Sequence, residues 1–219
     1  MGIAESAPLV YNLSRDPTVF LQCRHAGKED VMLTHQHTQD IRTNRLLLRR
    51  FKPEDAQSMF QNWASDPSVT LFMSWEPHRD VEETKEVLQR WIADYEKEDY
   101  YHWAIVYPEN GEVIGAIEVN EQSRRHERCE IGYVLSKDYW GNGLMTEAVC
   151  AVRDYLFIEV GYNRIQGIYD TRNPASGRVL VKAGMQYEGT LKQYKKLSDE
   201  SFADLCLYSI TQAEYNERI

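Results

Sequence analysis

Apolar positions recur along the chain at two periods, and the switches between them mark out its elements. Residues 45–51 read as a strand, and Lys52-Pro-Glu-Asp-Ala56 opens a helix, with Pro53 in the first turn and acids beside the positive helix end. A second helix is expected over residues 81–95. Residues 101–107 and 112–119 read as strands around the turn Pro108-Glu-Asn-Gly111, which predicts a hairpin. Gly115 in its second strand marks a bulge or a close backbone approach. Residues 128–135 form another strand. The clearest helix covers residues 144–160: Met145, Ala148, Val149, Val152, Leu156 and Val160 share one face, and Gly161 ends it. A strand at 164–170, a short helix at 174–183 and two strands near 185–194 and 202–210 complete the pattern. The order β-α-α-β-β-β-α-β-α-β-β predicts a mixed α/β (α+β) fold, one sheet with helices on both faces.

Residues 1–42 stand apart as an N-terminal extension to a domain covering 43–219. Residues 18–25 and 30–37 alternate well enough to predict a hairpin around 26–29, with Val19, Leu21 and Cys23 against Val31, Leu33 and His35. His35 and His37 would share a strand face, but two histidines without a third ligand give no metal site, and no metal is expected.

Composition narrows the function. The chain has 219 residues and a net charge of −9, so it lacks the basic surface that nucleic acid demands. An acidic surface suits a cationic partner such as an amine. There is no long apolar run and no leader pattern, so a membrane span is not expected and the cytoplasm is. Cys23, Cys129, Cys150 and Cys206 are widely spaced, which suits reduced thiols.

The chemistry concentrates between residues 139 and 146. Gly141 and Gly143 sit between a strand and a helix, where glycine lets the backbone approach a phosphate and the helix start offers free N–H groups from Leu144, Met145 and Thr146. A dinucleotide fingerprint needs a third glycine, but that position is Thr146. A P-loop needs a lysine that is missing. An ordinary tight turn explains the glycines equally well. A second piece, Asp170-Thr-Arg-Asn-Pro-Ala-Ser176, lies at the end of the next strand, where open sheets bind ligands; Asn173 and Ser176 suit helix capping as well as ligand contact.

Taken together, Gly132-Tyr-Val-Leu, Trp140-Gly-Asn-Gly-Leu-Met-Thr-Glu-Ala148, Asn173-Pro-Ala-Ser176 and Val179-Leu-Val-Lys-Ala-Gly-Met185 resemble the GNAT acetyltransferase superfamily, and within it the RimJ/RimL-type ribosomal-protein N-terminal acetyltransferases. The similarity covers about residues 43–210. It implies a mostly antiparallel central sheet with a splayed strand pair, and acetyl-CoA as acetyl donor. The pantetheine arm would lie against Tyr133, Val134 and Leu135 and contact Asn173 and Ser176. The pyrophosphate would lie on Trp140, Gly141, Asn142, Gly143, Leu144, Met145 and Thr146. The acceptor implied is a peptide N-terminus. A small-molecule amine (antibiotic, polyamine or amino acid) and a silent acyl-CoA-binding module are the alternatives.

The sequence departs from the family pattern twice. Asp138 stands where a basic or amide residue is usual, so it is expected to face solvent. Leu180 stands where many members carry a proton-donating tyrosine, which leaves Ser176 as the substitute. Glu130 and Glu118 are the candidate bases, with Glu130 preferred for its place on the cofactor strand; apolar neighbours do not decide which face either takes. His102 and His126 are weaker candidates. Acceptor loops are expected at residues 71–79 and 122–128, and residues 1–41 could pack on a partner subunit as a homodimer.

Overall fold

The computed structural model describes residues 33–197 and 200–218. Residues 18–25 and the start of residues 30–37 lie outside the described residues. The described end, residues 33–37, forms no strand, which corrects the expected hairpin there. Its backbone is satisfied instead by packing across the domain. Thr34 N–H donates to Val160 O at 2.9 Å and His37 N–H to Glu98 O at 3.0 Å. The two histidine rings meet different partners, the Tyr101 hydroxyl and the Lys97 carbonyl. Among the described residues no three His, Cys, Asp or Glu side chains gather as a metal group.

Eight strands form one sheet. In chain order they are β1 (Ile41–Arg42), β2 (Leu47–Arg49), β3 (His102–Tyr107), β4 (Glu112–Ser123), β5 (Arg128–Leu135), β6 (Arg164–Asp170), β7 (Gln186–Lys196) and β8 (Phe202–Thr211). Their order in space is β1-β2-β3-β4-β5-β6-β8-β7, and every pair but one is antiparallel. The exception is β5 with β6, which run parallel and pair only from Arg128–Arg164 to Glu130–Gln166. Beyond Glu130 the two strands part, and one edge of residues 131–135 is left without a ladder partner. This is the splay that the resemblance implied.

Helices cover both faces. Helix α1 (Ala56–Met59) continues as a wider π turn over Phe60–Ala64, and α2 (Pro67–Thr70) and α3 (Val81–Asp94) follow. Phe51, Met59, Trp63 and Leu88 pack here against Ala104, Ala116 and Val113 on one face of the sheet. On the other face lie α4 (Leu144–Tyr155) and α5 (Pro174–Lys182), with Ala148, Val149, Val152 and Leu180 against Trp103, Ile117 and Ile131. Helix α4 ends in a π turn at Leu156–Val160, and Gly161 closes it at φ 91°. A last helix, α6 (Gln212–Asn216), carries a capping box from Thr211 and Glu214. Among the described residues no helix is long and apolar enough to cross a membrane.

Gly115 answers both readings offered for it. The β3–β4 register shifts between Ile105 and Val106, and a side chain on Gly115 would run into the Val134 carbonyl oxygen. That neighbour is backbone in the middle of the sheet and cannot swing away. Gly115→Ala should therefore destabilise the fold by about 2 kcal/mol or more, in the range of overpacked cores. Urea unfolding at constant m-value checks this; an unchanged midpoint would show that β4 and β5 can separate locally.

Candidate active site

Where β5 and β6 part, a cleft of about 580 Å³ opens between the two strand ends. That lies within the usual size range of ligand sites, about 300–1,000 Å³. Tyr133, Val134 and Leu135 line it from β5. Trp140, Gly141, Gly143, Leu144, Met145 and Thr146 line it from the loop and the start of α4, and Asn173 and Ser176 from the start of α5. Of the residues expected to hold the cofactor, only Asn142 is off the wall. Asp138 is exposed and also off the wall.

The loop geometry follows from its glycines. Gly141 and Gly143 have φ of 79° and 76°, the left-handed region that side chains disfavour. Gly143 precedes α4 without any side-chain cap, so the N–H groups of Leu144, Met145 and Thr146 have no acceptor within the helix. The Trp140 indole N–H donates to Leu135 O at 2.8 Å and ties the loop to the end of β5. Asn173 uses its side chain to cap α5, accepting from Ser176 N–H at 3.4 Å. The Tyr133 hydroxyl crosses the gap, donating to Ser176 O at 2.9 Å and lying 3.0 Å from Ser176 Oγ. Leu180 is buried and packs on Gly167, away from the cleft.

Two further contributors support the cleft, and the sequence signalled only the second. Arg45 backs the glycine loop: its guanidinium donates to Asn142 O at 2.9 Å and to Glu147 Oε2 at 2.7 Å. Glu147 is half-buried, which opposes its charge, but hydrogen bonds from Thr43 and Arg45 outweigh that and hold its pKa below the ordinary value. The second is the strap after α2, where Leu71, Phe72 and Met73 line the cleft inside the expected acceptor loop. Lys195 Nζ fixes it from β7, donating to Phe72 O at 3.2 Å and Met73 O at 2.6 Å. The other expected acceptor loop, residues 122–128, does not reach the cleft wall.

Neither carboxylate lines the cleft, but both face the same side of the sheet beside it. Glu118 sits directly across from Gly132, and Glu130 is two residues from Gly132 on β5. Glu130 is buried at the point where β5 and β6 part, with Gln166 Nε2 donating to its Oε2 at 2.9 Å. Burial pushes its pKa up, and the Gln166 hydrogen bond only partly offsets this. Glu118 is also raised by desolvation, and its Oε2 lies 3.8 Å from His102 Nδ1. Burial pushes His102 down to about 3, so that imidazole is neutral and a poor base. His126 is exposed on the β4–β5 turn.

A splayed parallel pair with a glycine loop and an uncapped helix at its open end sets free N–H groups beside an unpaired strand edge. The family model described as Acetyltransferase (GNAT) domain matches residues 45–186. The chain belongs to the GNAT acetyltransferase family. It is 33% identical over 172 residues to the uncharacterized N-acetyltransferase YoaA of Bacillus subtilis, covering 78% of this chain and 96% of that one. It is 27% identical over 183 residues to the ribosomal protein uS5-alanine N-acetyltransferase of Escherichia coli, covering 80% and 92%. The crystal structure of a GNAT-family acetyltransferase from Bacillus anthracis superposes with a TM-score of 0.71 at 24% identity, covering 80% of this chain and 99% of that one. This GNAT chain is thus an acetyltransferase, and its sheet is the GNAT sheet.

Proposed function

We propose that this enzyme moves an acetyl group from acetyl-CoA to a primary amine, and that the acceptor is the α-amine of a protein N-terminus. The cleft carries the donor half of the reading. Its glycine loop and uncapped α4 start suit a pyrophosphate, and the unpaired edge of residues 131–135 suits the amides of a pantetheine arm. Acetyl-CoA would supply an acetyl group activated as a thioester.

The acceptor half rests on proton affinity. An α-amine has a pKa of about 7.7–8.0, so freeing its lone pair at pH 7 costs only about 1 kcal/mol, against roughly 4.6 kcal/mol for a lysine amine near 10.4. A carboxylate of raised pKa is base enough for the first and weak for the second. Glu130, oriented by Gln166, would take the ammonium proton directly or through water. The amine nitrogen then forms the C–N bond as the C–S bond breaks; the proton that it sheds on becoming an amide would reach the departing sulfur through Ser176, bridged to Tyr133, whose hydroxyl gives up one proton and regains one. The likeness to the uS5-alanine enzyme supports the same acceptor class. The described cysteines are unpaired, which suits a reducing cytoplasm.

Thiol release from acetyl-CoA, followed against peptides with free α-amines, acetyl-blocked peptides bearing lysine, and small amines, tests this. Free N-terminal peptides should react fastest. Faster turnover of polyamines or lysine side chains would move the acceptor class, and cofactor binding without thiol release on any acceptor would remove the catalytic reading.

A further inference from the structure

We propose that Arg178 and Lys182 form a binding site for the 3′-phosphate of the coenzyme A donor, so that the enzyme discriminates against the dephosphorylated cofactor. The inference rests on the acetyl-CoA reading above and deepens it.

Acetyl-CoA presents two separate anionic groups. One is the pyrophosphate; the other is a phosphate monoester on the ribose, which carries close to two charges at neutral pH. The start of α4 offers one set of N–H groups and one dipole end, worth about half an elementary charge. That serves a single anionic group. The second needs its own cation.

The cleft provides it on the facing wall. Acidic residues outnumber basic ones 34 to 25 in this chain, yet no carboxylate lines the cleft among the described residues. The charged side chains on its wall are Arg178 and Lys182. They stand four residues apart on α5 and therefore share one face of that helix. Both are exposed. Neither makes a side-chain hydrogen bond or an ion pair among the described residues. Other arginines around the fold are engaged: Arg45 by Glu147, Arg172 by Asp170, Arg153 by Asp154 and Arg164 by Glu188. An acidic protein that keeps two adjacent cations unpaired on the wall of an acid-free cleft is arranged for a dianion. A fork-shaped guanidinium and a flexible ammonium together can hold a terminal phosphate from two sides.

The test compares acetyl-CoA with acetyl-dephospho-CoA in the full-length enzyme. Wild type should show kcat/KM about tenfold higher for acetyl-CoA, the size of one charge-assisted contact. The preference should shrink as salt is raised, because the site is exposed. In Arg178→Gln/Lys182→Gln the ratio should fall toward one, and calorimetric titration with CoA and dephospho-CoA should show the same convergence in Kd. Equal use of the two donors by wild type, or a preference that survives in the double variant, would overturn the proposal. If neither CoA nor dephospho-CoA binds at all, the acetyl-CoA reading itself fails and takes this one with it.

Discussion

Glu130→Gln should lower kcat by roughly a hundredfold to a thousandfold at pH 7, within the usual worth of a general base, and should raise Tm at the same time. The two effects have one cause. Glu130 is buried, and its pKa is held above the ordinary carboxylate value by desolvation. A folded-state pKa above the unfolded one means that the folded protein favours the protonated form. Stability from this group is complete below the unfolded pKa and is lost as pH rises through the raised folded value. At pH 7 the ionised carboxylate therefore works against the fold. Glutamine removes that charge and keeps an oxygen to accept the Gln166 hydrogen bond, so the packing survives.

The pH profile separates catalysis from packing. A raised base gives an acid limb displaced upward from about 4.3, the ordinary glutamate value, with activity lost as pH falls through it. That limb should vanish from the residual activity of the variant. Cofactor affinity should change little, since Glu130 is not on the cleft wall. Unchanged turnover, or a Tm that falls with the activity, would assign Glu130 to structure and leave Glu118 as the base. Glu118 has the same sheet face and a raised pKa of its own, but 42% of its side chain is exposed and no amide among the described residues orients it.

Most of the sheet was legible because its strands alternate or run apolar between clear turns, and α4 because its apolar stripe repeats at helical spacing. The wall of the cleft was legible too, since a strand, two glycines and an amphipathic helix are contiguous. What escaped notice depends on contacts distant in sequence. Arg45 meets Glu147 across 102 residues and Lys195 meets Met73 across 122. No local pattern encodes either pairing. The spatial order β6-β8-β7 is likewise a choice of partners rather than a property of any strand. The facing of Glu118 was undecidable for a different reason. The β4–β5 register slips at Asn120, between Val119 and Glu121, so parity counted from the exposed end of β4 gives the wrong side. Short elements such as β1 and α2 carry too few residues to show any period.

Gly143→Val should raise the Kd for acetyl-CoA by about ten- to a hundredfold, the equivalent of about 1.4–2.8 kcal/mol. Space is not the obstacle. A Cβ on Gly143 would meet only the Arg45 guanidinium, at 3.7 Å. The obstacle is the backbone: φ is 76°, and a side chain there costs about 1–2 kcal/mol, more when β-branched. The chain relieves that strain by rotating out of the left-handed region, which re-aims the first N–H groups of α4 away from the phosphates. Gly111 supplies the control. It has φ of 74° and nothing within 4 Å of its would-be Cβ, but it lies in the β3–β4 turn and off the cleft wall. Gly111→Val should thus lower Tm by a similar amount and leave cofactor affinity alone. If both variants weaken acetyl-CoA binding equally, the loss reflects global destabilisation. If Gly143→Val binds as wild type does, the glycines at 141 and 143 serve only the turn, and the phosphates are held elsewhere.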